Sequence, residues 1–324
     1  MVIGFHSNQL GIRGTEVALY DYAYYNETVL GNKSFIISDK NSNLDALEKF
    51  SSRFEIFLYD NFMEVESFVQ SKGIELVYYM KAGDVDGKIL HSCRNAVHAV
   101  FQVNQPHGDS YVYISEWLAE KMTGDSSNYV PYIVTLPTNT ANYRDFLGIP
   151  RTAMVYGRHG GYKQFDYPWV HEAVYAFAQK HPEVYFVFMN TEPFCPALPN
   201  IIHIEPTYDL EQKTAFINTC DAMIHGRSDG ESFGLAIAEF LHQDKPVIAC
   251  REGYDQNHRV MLGEDGIYYS TFTELLEVFE KYKRTNPNGY YKHLVSKYTP
   301  ERVMERFNQK FLKIKNNSYE SSKY

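Results

Sequence analysis

The stretch DGESFGLAIAEFLHQDKPVIAC (229–250) runs from a loop through a helical pattern into an apolar strand. It follows the short apolar run AMIH (222–225), so that strand, helix and strand succeed one another. The same alternation of short apolar runs and helical patterns extends along most of the chain. Such alternation is typical of a parallel β-sheet with helices on both faces. The sequence therefore predicts an α/β fold.

Two series of these elements are separated by residues 134–150, which contain three threonines, two prolines and few apolar runs and read as a linker. We predict a first domain over 1–148, a second over 149–298 and a C-terminal helix within 299–324. Both domains are predicted to be Rossmann-like parallel-sheet units facing a central cleft. Predicted strands lie at 2–5, 34–38, 55–59, 75–80, 96–101, 111–115, 153–157, 184–189, 201–205, 222–225 and 246–250. Predicted helices lie at 14–30, 44–52, 61–72, 166–180, 209–219, 233–242 and 300–315.

Composition limits the classes of function. Of 324 residues, 44% are hydrophobic, and no apolar run approaches the roughly 18 residues of a membrane span. The formal net charge of −9 argues against nucleic acid as the main partner. Four cysteines, none in CxxC spacing, suit reduced, buried thiols in a reducing compartment. The N-terminal residues lack a signal-peptide pattern, so we expect a cytoplasmic protein.

Positive charge is concentrated towards the C-terminal end. Residues 281–324 carry 11 basic and three acidic side chains, whereas the preceding 280 residues carry a net charge of −17. This region could contact an anionic membrane surface as a peripheral protein. A solvated helix face explains the same charges without a membrane.

The loop that opens the helix of the quoted stretch has the composition of a ligand site. Gly230 and Gly234 allow the backbone to approach a ligand closely, and the amides of 232–234 would point from the helix start at an anion. Glu231 and Glu239 are eight residues apart, and a carboxylate can accept hydrogen bonds from a pair of sugar hydroxyls. The combination suits a sugar joined to a diphosphate. A capping acid and a surface glutamate would explain the same residues without a ligand.

A second loop, in VYGRHGGYKQFD (155–166), follows a predicted strand and carries Arg158 and Lys163. Two cations five residues apart, in front of a helix, can clamp a diphosphate and neutralise a departing one. Basic residues in loops are usually solvated, so this segment alone is a weak indication.

Taken together, these segments resemble the glycosyltransferases of family 4, which have the GT-B fold. The resemblance rests on GESFGLAIAEF (230–240) with its two glutamates, on KPVIA (245–249) and on GRHGGYK (157–163). It is strong over 150–270 and weaker over 1–130. In similar proteins the C-terminal helix crosses back to the first domain, and we expect the same here.

The resemblance implies a role for each matching residue. Arg158 and Lys163 would bind the donor diphosphate and stabilise it as it leaves. Glu239 would hold the nucleotide ribose, and Glu231 would face the transferred sugar. The other positions implied in donor binding here are Ser232, Phe233, Gly234 and Leu235. The family often has glycine after the first glutamate, where this chain has Ser232.

Members of this family usually retain the anomeric configuration and need no metal ion or other cofactor. The motif Asp84-Val85-Asp86 is a DxD, through which the other major glycosyltransferase fold holds a divalent cation. Here it lies in KAGDVDGK, which reads as a turn, and the chain lacks zinc-type Cys/His spacing. We therefore expect no metal site and no cofactor beyond the nucleotide-sugar substrate.

The first half supplies a weaker set of candidates. GIRGTE (11–16) joins the first strand to the first helix, and in the resembled family this loop lies over the donor phosphates or the acceptor. Gly14 is predicted to contact the donor and Arg13 the acceptor. An ordinary helix cap explains the loop equally well.

Two histidines compete for the place of a family histidine that faces the reacting sugar. His98 lies at a predicted strand end and is favoured as catalytic, while His107, in the following loop, is assigned to the acceptor side. In the second half, Thr207 and Tyr208 could contact or stack on the nucleotide base, although loop packing explains each of them as well.

The sequence thus predicts a retaining, metal-independent glycosyltransferase. It would move a sugar from a nucleoside-diphosphate donor, with UDP or GDP as candidates, to an acceptor hydroxyl of a carbohydrate, glycoconjugate, lipid or small molecule. Two alternatives are a nucleotide-sugar epimerase of the same fold and a non-catalytic nucleotide-sugar-binding protein.

Overall fold

The computed structural model describes residues 1–284 and 288–313, and these form two six-stranded sheets and a small two-stranded sheet. Every strand pairing within them is parallel. The α/β prediction, with two parallel-sheet units, is confirmed. The predicted strands and the predicted helices before residue 300 form within about three residues of their expected ends.

The first sheet and its helices occupy the N-terminal half. Its strands are β1 (Val2–Ser7), β2 (Lys33–Asp39), β3 (Glu55–Tyr59), β4 (Leu76–Lys81), β5 (Arg94–Ala99) and β6 (Ser110–Tyr113). Its helices are α1 (Gly14–Thr28), α2 (Leu47–Ser51), α3 (Glu64–Lys72) and α4 (Glu116–Thr123).

The second sheet and its helices follow after residue 154. Its strands are β7 (Val155–His159), β8 (Tyr185–Met189), β9 (Ile201–Ile204), β10 (Ala222–His225), β12 (Val247–Cys250) and β14 (Ile267–Tyr269). The two-stranded sheet pairs β11 (Gly230–Glu231) with β13 (Asp255–Gln256). Helices in this half are α5 (Pro168–Lys180), α6 (Leu210–Thr219), α7 (Leu235–His242), α8 (Asn257–Leu262) and α9 (Phe272–Lys281).

Both large sheets have the same strand order. The first runs β3-β2-β1-β4-β5-β6, and the second runs β9-β8-β7-β10-β12-β14. In each, the first strand in the chain lies at the centre and the direction of winding reverses between it and the fourth. Ligands of doubly wound sheets bind beyond the carboxyl ends of the strands at this reversal. A ligand is therefore expected at the loops after β1, β7 and β10.

The sheets are buried on both faces, which is why their strands are apolar runs rather than alternating ones. All six residues of β4 are buried, as are all five of β7. Alternate residues serve opposite faces: Phe5 packs towards α1, while His6 stacks on Tyr59 and contacts the tilted ring of Tyr79 on the other face. This layering leaves only the strand ends and their loops for a ligand.

The final described elements return to the first half. A 3₁₀ segment (Lys292–Tyr298) is followed by α10 (Pro300–Phe307) and a turn of π-helix (Asn308–Leu312). Phe307 is fully buried, with its ring 5.3 Å from that of Tyr22 and 6.2 Å from that of Phe5. The remainder of the predicted helix, 314–315, lies outside the described residues.

In the described part of the chain, no helix combines the length and apolar character that crossing a bilayer requires. The four cysteines are free thiols, with Cys220 and Cys250 buried and the other two only partly buried, contrary to the expectation that all four are buried.

Candidate functional site

The site is built at the carboxyl edge of the second sheet, where β7 and β10 lie side by side. The loop after β7 is fastened to the loop after β10 by Asp166. Its Oδ1 accepts from the amide of Ser228 and its Oδ2 from the hydroxyl of the same residue, both at 2.7 Å. In addition, the Asp166 amide donates to the carbonyl of Gly226. The two loops that the sequence singled out therefore form one structural unit.

Arg158 is the penultimate residue of β7 and is only 5% exposed. Its Nη1 donates to Oγ1 of Thr191 at 2.6 Å, and its Nη2 donates to the carbonyl of Gly161 at 3.2 Å. Burial lowers the pKa of Arg158 to about 10, and the charge of Glu231 opposes that shift. The guanidinium thus stays protonated at neutral pH and lies within electrostatic range of Glu231.

Lys163, the second predicted cation, lies on the surface of the same loop. Among the described residues its ammonium has no hydrogen bond or ion pair. The loop that carries it is held by Gln164, whose side-chain oxygen accepts from the amide of Gly161. The structure therefore brings Arg158 into the site and leaves Lys163 at its rim.

Glu231 ends the short strand β11, and its carboxylate is held by His225, the last residue of β10, and by Arg227 in the loop that follows. His225 Nε2 donates to Oε1 at 3.2 Å, and Arg227 Nη1 donates to Oε2 at 3.3 Å. Burial tends to raise the pKa of Glu231, but the hydrogen bond from His225 and the nearby positive charges outweigh it and lower the pKa. Glu231 is a fixed carboxylate, oriented by partners that the sequence alone did not single out.

Helix α7 begins at Leu235, two residues after its predicted start at 233. Gly234 is its N-cap, with a left-handed φ of 95° that disfavours other residues. The ring of Phe233 is buried 4.9 Å from the ring of Tyr132, which belongs to the first half. Ser232 is partly exposed, and Leu235 lies first in the helix. Because its ring is buried, Phe233 can offer only its backbone to a ligand.

Glu239 lies in the middle of α7 and is 4% exposed. Lys213 Nζ, from α6, donates to its Oε1 at 2.9 Å, and Nε2 of His159 lies 3.1 Å from its Oε2. Burial tends to raise the pKa of Glu239, but the charge of Lys213 and the contact with His159 lower it to about 2. Glu239 is thus an anion at all ordinary pH values.

The loop after β1 approaches the second half across the cleft. A Cβ at Gly14 would lie 3.8 Å from Cδ2 of Leu235, so the start of α1 faces the start of α7. Arg13 is exposed. Glu16 is 2% exposed, and its Oε1 accepts from the hydroxyl of Thr15 at 2.8 Å. Glu16 is a buried acid of the cleft that the sequence reasoning did not select.

Two hydrogen bonds from Gln102 join the halves on the other side of the cleft. Nε2 of Gln102, just after β5, donates to Oδ1 of Asp255 at 2.8 Å and to the carbonyl of Tyr254 at 3.2 Å. Asp255 pairs with Gly230 in the two-stranded sheet, directly beside Glu231. The first half therefore contacts the segment that supports Glu231.

His98, which the sequence analysis favours as catalytic, does not face the cleft in this structure. It is fully buried within the first sheet. The hydroxyl of Tyr78 donates to its Nδ1 at 2.6 Å, and its Nε2 donates to the carbonyl of Tyr113 at 3.1 Å. Burial lowers the pKa of His98 to about 3. Both ring nitrogens are used, so His98 is a core residue.

His107 is also not brought to the site. Its Nδ1 donates to the carbonyl of Gln105, and its ring packs on Tyr111. A Cβ at the neighbouring Gly108 would lie 2.8 Å from the carbonyl oxygen of Asn95, near the beginning of β5. His107 therefore lies towards the amino end of the strand, whereas the cleft lies at the carboxyl ends.

The residues predicted for the nucleotide base lie beside a cavity. Thr207 and Gln212 line a mostly apolar space of about 330 Å³ at the ends of β8 and β9. Tyr208 is 52% exposed. The remaining lining residues are Tyr143, Phe146, Leu147, Met189, Ile204 and Glu205. A planar base could fit this space beside Thr207.

The DxD motif lies in a turn after β4. Oδ1 of Asp86 accepts from Nζ of Lys81 at 2.7 Å and from the amide of Lys88 at 3.0 Å, while Asp84 is exposed. Within 1–284 and 288–313, no group of three or more His, Cys, Asp and Glu side chains is arranged to hold a metal ion. The ion pair with Lys81 accounts for the Asp86 carboxylate without a bound metal ion.

No protein-family model matches the chain, and no curated protein matches it in sequence. Among solved structures, HepE of Anabaena in complex with UDP-glucose is similar over 96% of this chain and 95% of its own, with a TM-score of 0.66 and 13% identity. The lipopolysaccharide outer core galactosyltransferase WaaB, in its apo form, is similar over 95% of this chain and 98% of its own, with a TM-score of 0.63 and 12% identity. The chain has the GT-B fold.

The GT-B fold is shared with proteins of another activity. The Listeria monocytogenes protein assigned as a UDP-N-acetylglucosamine 2-epimerase is similar over 94% of this chain and 94% of its own, with a TM-score of 0.58 and 13% identity. At these identities the likeness concerns the fold, and the reaction has to be argued from the site.

Sequence reasoning missed the residues that orient the two glutamates of the GT-B cleft. His225 and Arg227 hold Glu231, while His159 and Lys213 contact Glu239. A signal that could have found three of them is their position: His159 lies inside the quoted segment 155–166, and His225 and Arg227 directly precede the loop that begins at Asp229. Lys213 gave none, because a lysine in a helix usually belongs to a solvated face.

Proposed function

We propose that the protein is a glycosyltransferase that moves a sugar from a nucleoside-diphosphate donor to an acceptor hydroxyl. The observation that carries this proposal is the pair of hydrogen bonds from Ser228 to Asp166, which holds the loop after Arg158 against the loop of Glu231 at the carboxyl edge of the second GT-B sheet. Arg158 and Glu231 lie opposite the loop after β1 and beside the start of α7. This arrangement combines a cation for a diphosphate with a fixed carboxylate for sugar hydroxyls.

The chemistry proposed for Arg158 and Lys163 is stabilisation of the leaving group. As the bond from the sugar to the diphosphate breaks, negative charge grows on the diphosphate. A buried guanidinium already held by Thr191 needs no reorganisation to meet that charge. Lys163 would add a second positive charge from the rim. Closure of the cleft would exclude water and so limit donor hydrolysis.

The finer assignments follow the family resemblance. We propose retention of the anomeric configuration, membership of family 4 and no requirement for a metal ion, with Arg158 and Lys163 serving where other enzymes use a cation. Glu231 would bind the transferred sugar and Glu239 the ribose. Arg13 and Gly14, in the loop after β1, would lie near the acceptor and the donor phosphates.

The first experiment is a thermal-shift screen with UDP, GDP, ADP, CMP and their sugars, with and without EDTA. A ligand that binds only the folded chain raises the melting temperature by mass action. A shift with one nucleotide that survives EDTA and disappears in Arg158→Ala is the expected result. A shift that requires a divalent cation would contradict metal independence, and no shift with any nucleotide would contradict the proposed function.

The similarity to the Listeria protein keeps an epimerase as the second candidate. The two reactions give different products from UDP-N-acetylglucosamine. An epimerase inverts carbon 2 of the sugar and leaves the nucleotide attached, whereas a transferase releases UDP and forms a glycoside. Product analysis by NMR after incubation with the donor and simple glycoside acceptors separates them. A chain that binds nucleotide-sugar and forms neither product would be a binding protein.

We also propose a cytoplasmic protein that contacts membranes peripherally. Lys297, Arg302 and Tyr129 line an open cavity of about 280 Å³ beside α10, in the region rich in positive charge. Cosedimentation with vesicles of phosphatidylglycerol, but not phosphatidylcholine, is the expected result and should weaken with salt. If equal amounts of protein sediment with both vesicle types, the membrane proposal is contradicted and these charges belong to a solvated helix face.

A further inference from the structure

A residue of the first half holds the segment that lies beside Glu231. The side-chain amide of Gln102 donates to Oδ1 of Asp255 at 2.8 Å and to the carbonyl of Tyr254 at 3.2 Å. Asp255 is 8% exposed, and among the described residues no other group donates a hydrogen bond to its carboxylate. Burial raises the pKa of this carboxyl group, and the hydrogen bond from Gln102 opposes the rise. Without Gln102, a buried acid would be left without its donor, which is costly.

Gln102 keeps a fixed position relative to the first sheet. It lies in the turn after β5, between two residues that are bonded to the adjacent strands. The amide of Val100 donates to the carbonyl of Lys81, at the end of β4, at 3.0 Å. The carbonyl of Val103 accepts from the hydroxyl of Tyr111, in β6, at 2.9 Å. Because the backbone is bonded on either side of it, Gln102 moves with the first sheet.

The backbone of Asp255 is bonded to the residues just before Glu231. Its amide donates to the carbonyl of Asp229 at 2.7 Å, and Asp255 pairs with Gly230 in the two-stranded sheet. These backbones approach so closely that a Cβ at Gly230, whose φ is 64°, would lie 1.9 Å from the carbonyl oxygen of Asp255. The path of the chain into Glu231 is therefore set by its contact with Asp255.

A second contact holds the chain beyond Glu231. Asn257 is 2% exposed, and its Nδ2 donates to the carbonyl of Phe233, two residues after Glu231, at 2.7 Å. Residues 255–257 thus hold the backbone on both sides of Glu231, while Gln102 holds residues 254 and 255 from the opposite half. A continuous series of hydrogen bonds connects the first sheet with Glu231, and such a series can carry energetic coupling.

Separation of the two halves would break this series at Gln102. The Asp255 carboxylate would then exchange its amide donor for water. Arg158 would not be affected in the same way, because its guanidinium is held by Thr191, within the second half. The contact therefore bears on Glu231 and leaves the group proposed for the diphosphate unchanged.

We propose that Gln102 is a positioning residue for Glu231, which takes the alignment needed to bind the transferred sugar only while Gln102 contacts Asp255. The inference rests on the proposed function, in which Glu231 binds that sugar. It assigns to a residue of the opposite half a part in holding the donor. Binding of the sugar is then coupled to contact between the halves, whereas binding of the diphosphate does not depend on Gln102.

The test compares nucleotide with nucleotide-sugar. Dissociation constants of UDP, UDP-glucose, UDP-galactose and UDP-N-acetylglucosamine are measured by isothermal titration calorimetry, and the sugar that binds most tightly is kept. If the chain binds GDP instead, GDP, GDP-glucose and GDP-mannose are used. In Gln102→Ala, the Kd of the nucleotide-sugar divided by that of the nucleotide should rise about fivefold or more, the size expected when a hydrogen bond to a charged group is lost. The Kd of the nucleotide itself should change less than about twofold.

A double-mutant cycle distinguishes positioning from a general loss of structure. Glu231→Gln should raise the same ratio, and adding Gln102→Ala to it should raise the ratio no further, because both changes act on one contact. Asp255→Ala should behave as Gln102→Ala does. Asp255→Asn keeps an oxygen that can accept from Gln102 and should retain the wild-type ratio.

Gln105→Ala is the matched control. Gln105 belongs to the same loop, but its side chain accepts from the amide of Val85, within the first half. This variant should retain both the ratio and the nucleotide affinity. Because Gln102 is only partly buried, Gln102→Ala should fold, and its unchanged nucleotide affinity verifies this.

The outcomes separate this inference from the function on which it rests. A Gln102→Ala variant with the wild-type ratio, additive effects of Gln102→Ala and Glu231→Gln, or a wild-type chain that binds a nucleoside diphosphate and none of its sugars overturns the positioning role alone. A wild-type chain that binds no nucleoside diphosphate and no nucleotide-sugar overturns the proposed function and the positioning role with it.

Discussion

The carboxylate of Asp166 accepts two hydrogen bonds of 2.7 Å from Ser228, one from the backbone amide and one from the hydroxyl. These bonds fasten the loop of Lys163 to the loop of Glu231. Neither loop contains a helix or a long strand of its own at this point, so its shape depends on such contacts. The position of Lys163 relative to Glu231 therefore depends on the contact between Asp166 and Ser228.

Replacing Asp166 by alanine should therefore disturb ligand binding more than folding. We expect Asp166→Ala to weaken UDP binding about tenfold, while the free energy of unfolding falls by about 1 kcal/mol, because the bonds lost lie at the surface. Calorimetry and chemical denaturation measure the two quantities. Asp145→Ala, which breaks an exposed ion pair with Arg151, is the matched control. Equal UDP affinity in the two variants would contradict the coupling of the loops.

Lys163 offers a test of the diphosphate assignment that does not involve stability. Because its side chain is exposed, Lys163→Ala should change the free energy of unfolding by less than about 0.5 kcal/mol. UDP affinity should fall about five- to tenfold at low salt and less at high salt, as expected for an exposed charge. Titrations at two salt concentrations measure this. Lys180→Ala, at the far end of α5, should bind as wild type, and an identical result for Lys163→Ala would remove Lys163 from the site.

His98 should matter for folding and not for chemistry. His98→Leu leaves the buried hydroxyl of Tyr78 and the carbonyl of Tyr113 without their partners, so the free energy of unfolding should fall by about 2–4 kcal/mol. The UDP-induced change in melting temperature should persist at a temperature where the variant is folded. His107→Ala, at a partly exposed position, should lose much less stability. A stable His98→Leu chain without turnover would restore the catalytic assignment.

Asp21 gives the protein a pH-dependent stability. Burial and the charge of Glu239 raise its pKa, Lys49 and Lys213 lower it, and the result is about 7. An unfolded aspartate titrates near pH 4, so between about pH 4 and 7 the folded chain holds a proton that the unfolded chain has lost. The contribution of Asp21 to stability therefore falls as the pH rises through this window.

The variant Asp21→Asn cannot ionise, so it should not lose stability as the pH rises from about 4 to 7. It should be more stable than wild type by about 1 kcal/mol at pH 8, a value reduced for the partial exposure of the side chain, and equal to wild type near pH 4. Melting temperatures of both chains at the two pH values provide the measurement. A stability difference that is the same at both would show that Asp21 has an ordinary pKa.

The local sequence pattern was sufficient to predict the strands of the two large sheets. Each buried parallel strand is an apolar run that can be recognised without knowing its neighbours in the sheet. The pattern was also sufficient to single out the segments of Arg158, Glu231 and Glu239, which the structure places at the end of β7, in β11 and in α7. It did not predict the burial of His98, because nothing in AVHAVF distinguishes a histidine whose ring is bonded on both sides from one that faces a cleft. Burial of that kind depends on Tyr78 and Tyr113, which come from neighbouring strands.

The partners of the two glutamates show the same limit. Lys213 is 26 residues from Glu239 and lies on another helix. Its contact arises only when α6 and α7 pack side by side on the second sheet. No spacing rule links the two positions, so the charge balance of the site could be read only from the folded chain.

The return of α10 to the first half has a consequence for how the chain is made. Phe307 fills a space between Phe5 and Tyr22, so the interior of the first half contains a side chain from the last part of the described sequence. On a ribosome, the N-terminal sheet emerges first, yet it must wait for the whole second half before this ring arrives. Until then the apolar face of the first sheet is exposed to solvent. The nascent chain avoids aggregation only if another protein covers this face or if synthesis of the second half is fast.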